Sequence, residues 1–201
     1  MIDIIKLSGK QGSGKTTLAN ELLRIAASLG YDFFGTMKFA DPLYEMHELI
    51  LNKMEGFTGA PRTKKDGPLL QWLGTEFGRD RFGENVWVDV LKKRIMKLGG
   101  DDSAAVKTKR LIIIDDGRFE NEFDAIPEAL RVRLLCPEEI RKARADAWRD
   151  NTAHRSETGL DRYELDGKFD LYLDSHNVSV SDCATLIAAQ LQKKSWVGKR
   201  K

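Results

Sequence analysis

The stretch Gly9-Lys10-Gln11-Gly12-Ser13-Gly14-Lys15-Thr16-Thr17 sets two glycines, a lysine and a hydroxyl at the spacing G-x-x-x-x-G-K-[ST], with a third glycine, Gly12, inside it. Those residue types at that spacing make a cradle for nucleotide phosphates. The glycines let successive backbone N–H groups turn inward toward phosphate oxygens, and a helix starting near Lys15 adds its positive dipole end. Gly12, Ser13, Gly14, Lys15, Thr16 and Thr17 are therefore the candidate nucleotide-binding residues. Among them Lys15 is placed to reach the β- and γ-phosphates, and the Thr16 hydroxyl to ligate Mg²⁺. A glycine-rich strand-to-helix turn without a ligand is the alternative, and the flanking pattern argues against it.

A second group able to do chemistry is Asp116-Gly117-Arg118, which follows an apolar run. A carboxylate leaving a buried strand beside a phosphate cradle suits the acidic partner of Mg²⁺. Asp116 is the candidate and Asp115 its competitor, because neighbouring side chains of a strand point to opposite faces. Arg118 offers a fork of donors to a second phosphate group, or else an ion pair with Glu122 on the next turn. Further along, Arg141, Arg144 and Trp148 fall at i, i+3 and i+7, with Arg149 beside them, so a helix would line them on one face. Convergent arginines between Pro137 and a polar loop suit a lid that closes on transferring phosphates; a solvated charged face is the other reading. Gln71, Thr75 and Arg79, at i, i+4 and i+8, form a polar stripe open to a base and a phosphate. Core packing explains Leu73, Phe77 and Trp87 as well as binding does.

These groups need elements to hold them. Ile2, Ile4, Ile5 and Leu7 read as a buried strand before the cradle, and Leu18, Leu22, Ile25, Ala26 and Leu29 as one face of the helix after it, up to Gly30. Tyr31 to Phe39 reads as a second strand. Asp41-Pro42 opens a helix with the apolar stripe Leu43, Met46, Leu49, Ile50 and Met54, ended by Gly56. Residues 56–68, rich in glycine, proline and cations, read as a mobile basic loop. Two core-packing helices follow, around 69–82 and 84–98, then a polar linker over 99–109. Leu111-Ile112-Ile113-Ile114 is a continuous apolar run of the kind found in a parallel strand buried on both faces. A crossover helix over 121–130, a strand over 131–135 and the arginine-bearing helix 138–149 come next. A polar loop with His154-Arg155-Ser156-Glu157 leads to a strand near 169–173. The last helix has Cys183, Ile187 and Leu191 on one face and Ser181 or Asp182 near its start. Strands alternating with helices predict an α/β fold, with a mostly parallel sheet of about five strands flanked by helices.

At 201 residues, 41% apolar and 32% charged, the chain has the size of one domain with a sizeable core and the composition of a folded enzyme. It has no apolar stretch of about 18 residues and runs from Met1 straight into a strand, so neither a membrane span nor a signal peptide is expected, and the expected location is cytoplasmic. A net charge of +2, from 33 Lys+Arg against 31 Asp+Glu, argues against a dedicated nucleic-acid binder. The basic cluster Lys193-Lys194 with Lys199-Arg200-Lys201 reads as a solvated tail. Cys136 and Cys183 lack metal-type spacing and read as buried free thiols.

In order along the chain, the cradle at 9–16, Phe39-Ala40-Asp41-Pro42-Leu43, Gln71-x-Leu73-Gly74-Thr75 with Trp87, Asp116-x-Arg118-Phe119-x-Asn121-Glu122 and His154-x-Ser156-Glu157 together resemble the bacteriophage-type deoxynucleoside monophosphate kinases. The resemblance implies an adenylate-kinase-like P-loop kinase in a single domain, 1–201. A monophosphate-binding helical lobe would lie around 40–100 and a lid around 137–160. It implies ATP on the P-loop with Mg²⁺, and an acceptor monophosphate near Tyr44, Arg62, Gln71, Thr75, Trp87, Arg118 and Glu122, to which the polar stripe adds Arg79. Some relatives carry Arg-Pro after the fourth strand where this chain has Cys136-Pro137, so lid contacts pass to Arg141, Arg144 and Arg149. The implied reaction moves the γ-phosphoryl group of ATP to a deoxynucleoside monophosphate, with Lys15, Arg118, Arg141 and Arg144 as catalytic cations. Partners would be small-molecule nucleotides; the oligomeric state, a homodimer included, is left open. A small-molecule kinase of the phosphomevalonate-kinase kind shares the cradle but needs no base site. A P-loop ATPase or switch also shares it. The switch reading lacks a guanine-reading N-K-x-D after a strand, since Asn52-Lys53-Met54-Glu55 falls within a helix.

Overall fold

Alternation of apolar and polar residues decides how the strands are used. The five strands β1 (Ile2–Ser8), β2 (Phe33–Met37), β3 (Arg110–Ile114), β4 (Leu130–Leu135) and β5 (Leu171–Asp174) form one sheet in the order β2-β3-β1-β4-β5. Every neighbouring pair is parallel, with Ile4 beside Ile112 and Leu7 beside Val132. This is the α/β fold with five parallel strands expected from the sequence. On one face, Ile5, Leu7, Ile113 and Val132 pack with Leu18, Leu22, Cys183 and Ile187 of the helices α1 (Lys15–Ala26) and α10 (Val180–Gly198).

The opposite face is mixed: Ile4, Ile112 and Ile114 are buried there beside charged and polar residues. Lys6, Ser8 and Arg133 are buried there, next to an aromatic cluster of Phe123, Tyr163 and Phe169 with ring centres 5.1 to 5.8 Å apart. Burying a cation without partners is costly, and Lys6 has them. Its Nζ donates to the carbonyls of Phe123, Glu122 (3.4 Å) and Ile126 (3.0 Å) around the end of helix α6 (Glu120–Asp124), where a positive charge also meets the negative end of the helix dipole.

The computed structural model of the chain describes residues 1–61, 65–99, 108–144, 148 and 155–198. Arg62, Arg149, His154 and Lys199 to Lys201 lie outside them, as does most of the expected lid between Arg144 and Arg155. The remaining helices are α2 (Asp41–Thr58), α3 (Gly67–Trp72), α4 (Asp80–Phe82), α5 (Val86–Gly99), α7 (Glu138–Arg144), α8 (Arg155–Thr158) and α9 (Asp161–Leu165), with a π-helical stretch Leu73–Arg79 joining α3 to α4. Among the described residues no helix is long and apolar enough to cross a membrane.

Several boundaries move from their expected places. Helix α2 runs through Gly56 and stops at Gly59, which has φ 68° and donates its N–H to Glu55 O; the left-handed cap, not the first glycine, ends the helix. Its apolar stripe packs only in part: Leu43, Met46 and Ile50 are half-buried, Leu49 and Met54 are exposed, and His47 is the fully buried residue, its Nε2 accepting the Asp66 N–H at 2.9 Å. The end of the basic loop is a helix start, since the Asp66 carboxylate caps α3 by accepting the Leu69 N–H. Helix α6 is short because Pro127 disfavours helix at Ile126, and Trp148 is not helical. Helices α8 and α9 replace an expected loop. Ser179, not Ser181 or Asp182, caps α10 by accepting the Asp182 N–H. Cys136 is half-buried and only Cys183 fully so.

The chain divides into two units, Met1–Met37 with Gly99–Lys201, and Lys38–Leu98. The second holds α2 to α5. Within it Trp87 donates its indole N–H to Gly74 O at 2.9 Å, and its ring lies where a Cβ on Gly78 would be, 2.2 Å from one ring carbon. Only glycine admits that approach. The π stretch turns wider than an α-helix and brings Trp72, Phe77 and Phe82, five residues apart, into ring contact at 5.4 and 5.8 Å.

Candidate active site

β1 is the central strand, and the chain leaving its C-terminal end enters the glycine-rich loop and then α1. Ligands of open α/β sheets bind at that end. The loop's orientation follows from its carbonyls. Arg141 Nη1 donates to Gln11 O at 3.0 Å and Ser175 Oγ donates to Ser13 O at 2.9 Å. In a planar trans peptide the N–H points opposite to the C=O, so the amides of Gly12 and Gly14 are turned the other way, into the loop. Gly12 has φ 75°, and a Cβ there would sit 2.6 Å from the Arg141 carbonyl oxygen; helix α7 packs directly on the loop and admits no side chain. The Ser13 hydroxyl is fully buried with no hydrogen-bond partner among the described residues.

Lys15 starts α1 and folds back on the loop, donating to Gly9 O (2.5 Å) and Lys10 O (3.1 Å). Burial lowers its pKa from 10.5 to about 8; Arg118 and Arg133 push in the same direction, and Glu157 and Asp115 oppose them. The sign has two consequences. Between pH 8 and 10.5 the unfolded chain holds more protons than the folded one, so this group adds stability as pH rises through that window. Anion binding goes the other way, because a bound polyphosphate restores the charge. Titrating the protein with inorganic tripolyphosphate at pH 8.5 should therefore show proton uptake, read as heats that differ between buffers of different ionisation enthalpy. Affinity should fall as pH rises from 7 to 9. Buffer-independent heats, or the same uptake in Lys15→Met, would remove Lys15 as the responsive group.

Around the loop stands a ring of charge. Arg118 Nη1 pairs with Glu157 Oε1 at 2.6 Å, and Glu157 Oε2 accepts the Gln11 N–H at 2.9 Å. Burial pushes the Glu157 carboxyl up, but the Gln11 amide, Arg118 and Lys15 outweigh it and hold the group below the ordinary carboxylate range. Arg133 joins Ser8 Oγ (2.8 Å) to Glu164 (2.7 Å), and Lys10 meets Asp161 at 3.3 Å. Glu122 Oε2 accepts the backbone N–H groups of Arg118 (2.7 Å) and Phe119 (3.1 Å), so its carboxylate fixes the start of α6 and the course of the chain at Arg118.

A cavity of about 730 Å³ opens beside the loop, lined by Gly12, Ser13, Gly14, Thr17, Arg144 and the segment after β5. Asp174 shapes that segment by accepting the N–H groups of His176 and Asn177 and the Asn177 side-chain amide. Arg144 Nη1 donates to Ser175 O at 3.1 Å.

The structure thus brings Gly12, Ser13, Gly14, Lys15, Arg118 and Arg144 around one loop and cavity, with Thr16 and Thr17 exposed on the first turn of α1. Arg141 is buried and engaged with the carbonyls of Cys136 and Gln11, so it holds the loop instead of facing the cavity. Of the two aspartates after β3, Asp115 is 6% exposed and acts electrostatically on Lys15. In the other unit Gln71, Thr75 and Tyr44 are exposed and Arg79 is half-buried, whereas Trp87 is 6% exposed and serves packing. Glu157 entered the sequence reading only within His154-x-Ser156-Glu157, and Arg133 and the segment 175–179 were not singled out; the signals of these two are the Arg-Val-Arg alternation in β4 and the Asp-Ser-His-Asn turn at the end of β5.

No protein-family model matches the sequence, and no curated protein matches it. Solved structures do match. TT1252 from Thermus thermophilus aligns over 95% of this chain and 97% of its own at 20% identity, TM-score 0.56. Shikimate kinase from Acinetobacter baumannii in complex with shikimate aligns over 96% and 94% at 17% identity, TM-score 0.48. Shikimate kinase from Aquifex aeolicus vf5 aligns over 96% and 98% at 15% identity, TM-score 0.46. At 20% identity the likeness to TT1252 shows the fold alone, a five-stranded parallel sheet flanked by helices.

Proposed function

We propose that the chain is a P-loop kinase that transfers the γ-phosphoryl group of ATP to a deoxynucleoside monophosphate. The observation that carries the donor half is the loop itself: amides turned inward by the grip of Arg141 and Ser175 on its carbonyls, next to a cavity roomy enough for a nucleoside. The acceptor half is supported by the ordered motifs of the sequence and by the exposed polar groups Gln71, Thr75 and Tyr44.

The donors suit Mg²⁺, a hard cation that takes oxygen and keeps several waters. Thr16 offers a hydroxyl, and Asp115, with Asp116 next to it, offers a carboxylate. Among the described residues no three His, Cys, Asp or Glu gather, so phosphate oxygens and water would complete the shell. When bound, the ion supplies charge neutralisation between β- and γ-phosphates. Every other task falls to side chains. The acceptor phosphate oxygen is already a nucleophile at neutral pH, so no general base is required. Lys15 exchanges the Gly9 and Lys10 carbonyls for phosphate oxygens. Arg118 neutralises charge spreading onto the transferred group, and Arg144 borders the donor cavity.

Discrimination among acceptors must come from contacts to base and sugar, since cations hold the phosphate of any nucleotide. A buried 2′-hydroxyl without a partner costs about 1 to 3 kcal/mol, or roughly 5- to 150-fold. A deoxy preference of that size is expected in kcat/KM across paired deoxy- and ribonucleoside monophosphates, with more than one base accepted. The base profile should change in Gln71→Ala. Equal efficiency on ribonucleotides would overturn the deoxy assignment.

A further inference from the structure

Packing alone does not fix the Arg118 side chain, which is 37% exposed. A long, flexible cation loses much rotamer entropy when it is held in one place for a transfer step, so its tip needs a partner that is itself fixed. Glu157 is such a partner. Its Oε1 accepts from Arg118 Nη1 at 2.6 Å, and its Oε2 accepts the Gln11 N–H at 2.9 Å. That N–H shares a peptide with the Lys10 carbonyl, which meets Lys15, so it points out of the cradle. Glu157 therefore grips the loop from outside, as Arg141 and Ser175 do through its carbonyls. We propose that Glu157 is a positioning residue, which registers the Arg118 guanidinium against the outer side of the P-loop and so aims it at the transferred phosphoryl group. This rests on the reading of the chain as a P-loop kinase in which Arg118 neutralises charge on that group.

Three features suit Glu157 to that part. The carboxylate has little room to wander: its side chain is 5% exposed, and nearby Leu160 packs with Phe123, Tyr163 and Phe169 in the aromatic cluster. It is charged at neutral pH, because burial pushes the carboxyl up and the Gln11 amide, Arg118 and Lys15 hold it down more strongly. It also offsets a repulsion. Arg118 acts on Lys15 as a like charge and Glu157 as an opposite one, so the carboxylate lets a lysine and an arginine serve one phosphate site without driving the arginine outward. Arg118 is thereby held at both ends, its backbone N–H by Glu122 and its guanidinium by Glu157. A guanidinium carries several N–H donors in a planar fork, so a bond through Nη1 does not use up its capacity for phosphate oxygens. Glu157, on α8, thus ties together the loop after β1 and the chain after β3, which lie far apart in sequence.

The test is a double-mutant cycle in steady-state kinetics, run with ATP, Mg²⁺ and the deoxynucleoside monophosphate that the wild-type chain uses best. It compares wild type, Glu157→Gln, Arg118→Ala and the double variant. Glutamine keeps the shape and removes the charge. Glu157→Gln is expected to lower kcat by about 10- to 100-fold, the scale of a misplacement of about 1 Å, with KM for ATP within about threefold of wild type. In the Arg118→Ala background the same substitution should change kcat by less than about twofold, because a residue that acts through Arg118 then has nothing to position. Unchanged kcat in Glu157→Gln, a loss confined to KM, or a full additional loss in the double variant would overturn the positioning role while leaving the kinase reading standing. Absence of acceptor-dependent turnover by the wild type on every deoxynucleoside monophosphate would instead overturn the kinase reading, and the positioning role with it. A measurement needing no variant runs alongside, on ¹⁵N-arginine-labelled wild type saturated with Mg²⁺ and a non-hydrolysable ATP analogue. The Nη resonances of Arg118 should stay separate there, as slow rotation of a paired guanidinium requires. Resonances averaged by fast rotation would also overturn the proposal.

Discussion

Lys15→Ala is expected to lower kcat by about 100-fold or more while the sheet and its core stay intact. The size is that of losing one positioned charge contact in a transition state. The fold should tolerate the change because Lys15 supports nothing beyond the loop: its ammonium reaches the carbonyls of Gly9 and Lys10, whereas the loop is fastened from outside by Arg141 and Ser175. Removing a cation whose charged form is disfavoured by burial also relieves a strain on the native state at neutral pH. Circular dichroism and a melting curve close to wild type, with kcat reduced, would separate chemistry from folding. Near-normal turnover would take the P-loop lysine out of the mechanism.

Arg118→Ala should fail in a different way. Its guanidinium is asked to neutralise charge that develops during transfer, and an arginine in that position contributes about 10³-fold or more to phosphoryl transfer. Acceptor-dependent turnover should fall on that scale, while affinity for ATP changes by less than about threefold. The backbone at this position does not depend on the side chain. Glu122 holds the N–H groups of residues 118 and 119, and alanine keeps both. Titration of the variant with ATP and acceptor separately is the check. An equal loss of ATP affinity would make Arg118 a structural residue.

The cradle and the sheet were legible because each has a local code. Spacing of Gly9, Gly14, Lys15 and Thr16 specifies the loop, and the runs Ile2 to Leu7 and Leu111 to Ile114 specify interior strands. What was not legible depends on contacts distant in sequence. Arg141 has the spacing of a lid arginine, yet it is buried against Gln11, 130 positions away in the chain. Sequence context leaves Trp87 equally open to packing and to acceptor binding, and only Gly74 and Gly78, 13 and 9 positions earlier, show it packed within its own unit. Glu157 stands in a polar stretch without a hydrophobic period, so neither its helix nor its reach to Gln11 and Arg118 shows in the pattern. The charged residues on the mixed face of the sheet were there to be read as the alternation Ile5-Lys6-Leu7-Ser8 and Leu130-Arg131-Val132-Arg133. Buried cations run against the usual expectation for strands, and they are stable here only because carbonyls and carboxylates from α6 and α9 meet them.

The most direct test mixes the protein with ATP, Mg²⁺ and one deoxynucleoside monophosphate at a time, and measures ADP and the deoxynucleoside diphosphate together. For at least one acceptor the two products should appear in equal amounts, with ATP consumption negligible when the acceptor is omitted. ATP consumption that is the same with and without acceptor, and no diphosphate formed from any of them, would contradict phosphoryl transfer to a monophosphate.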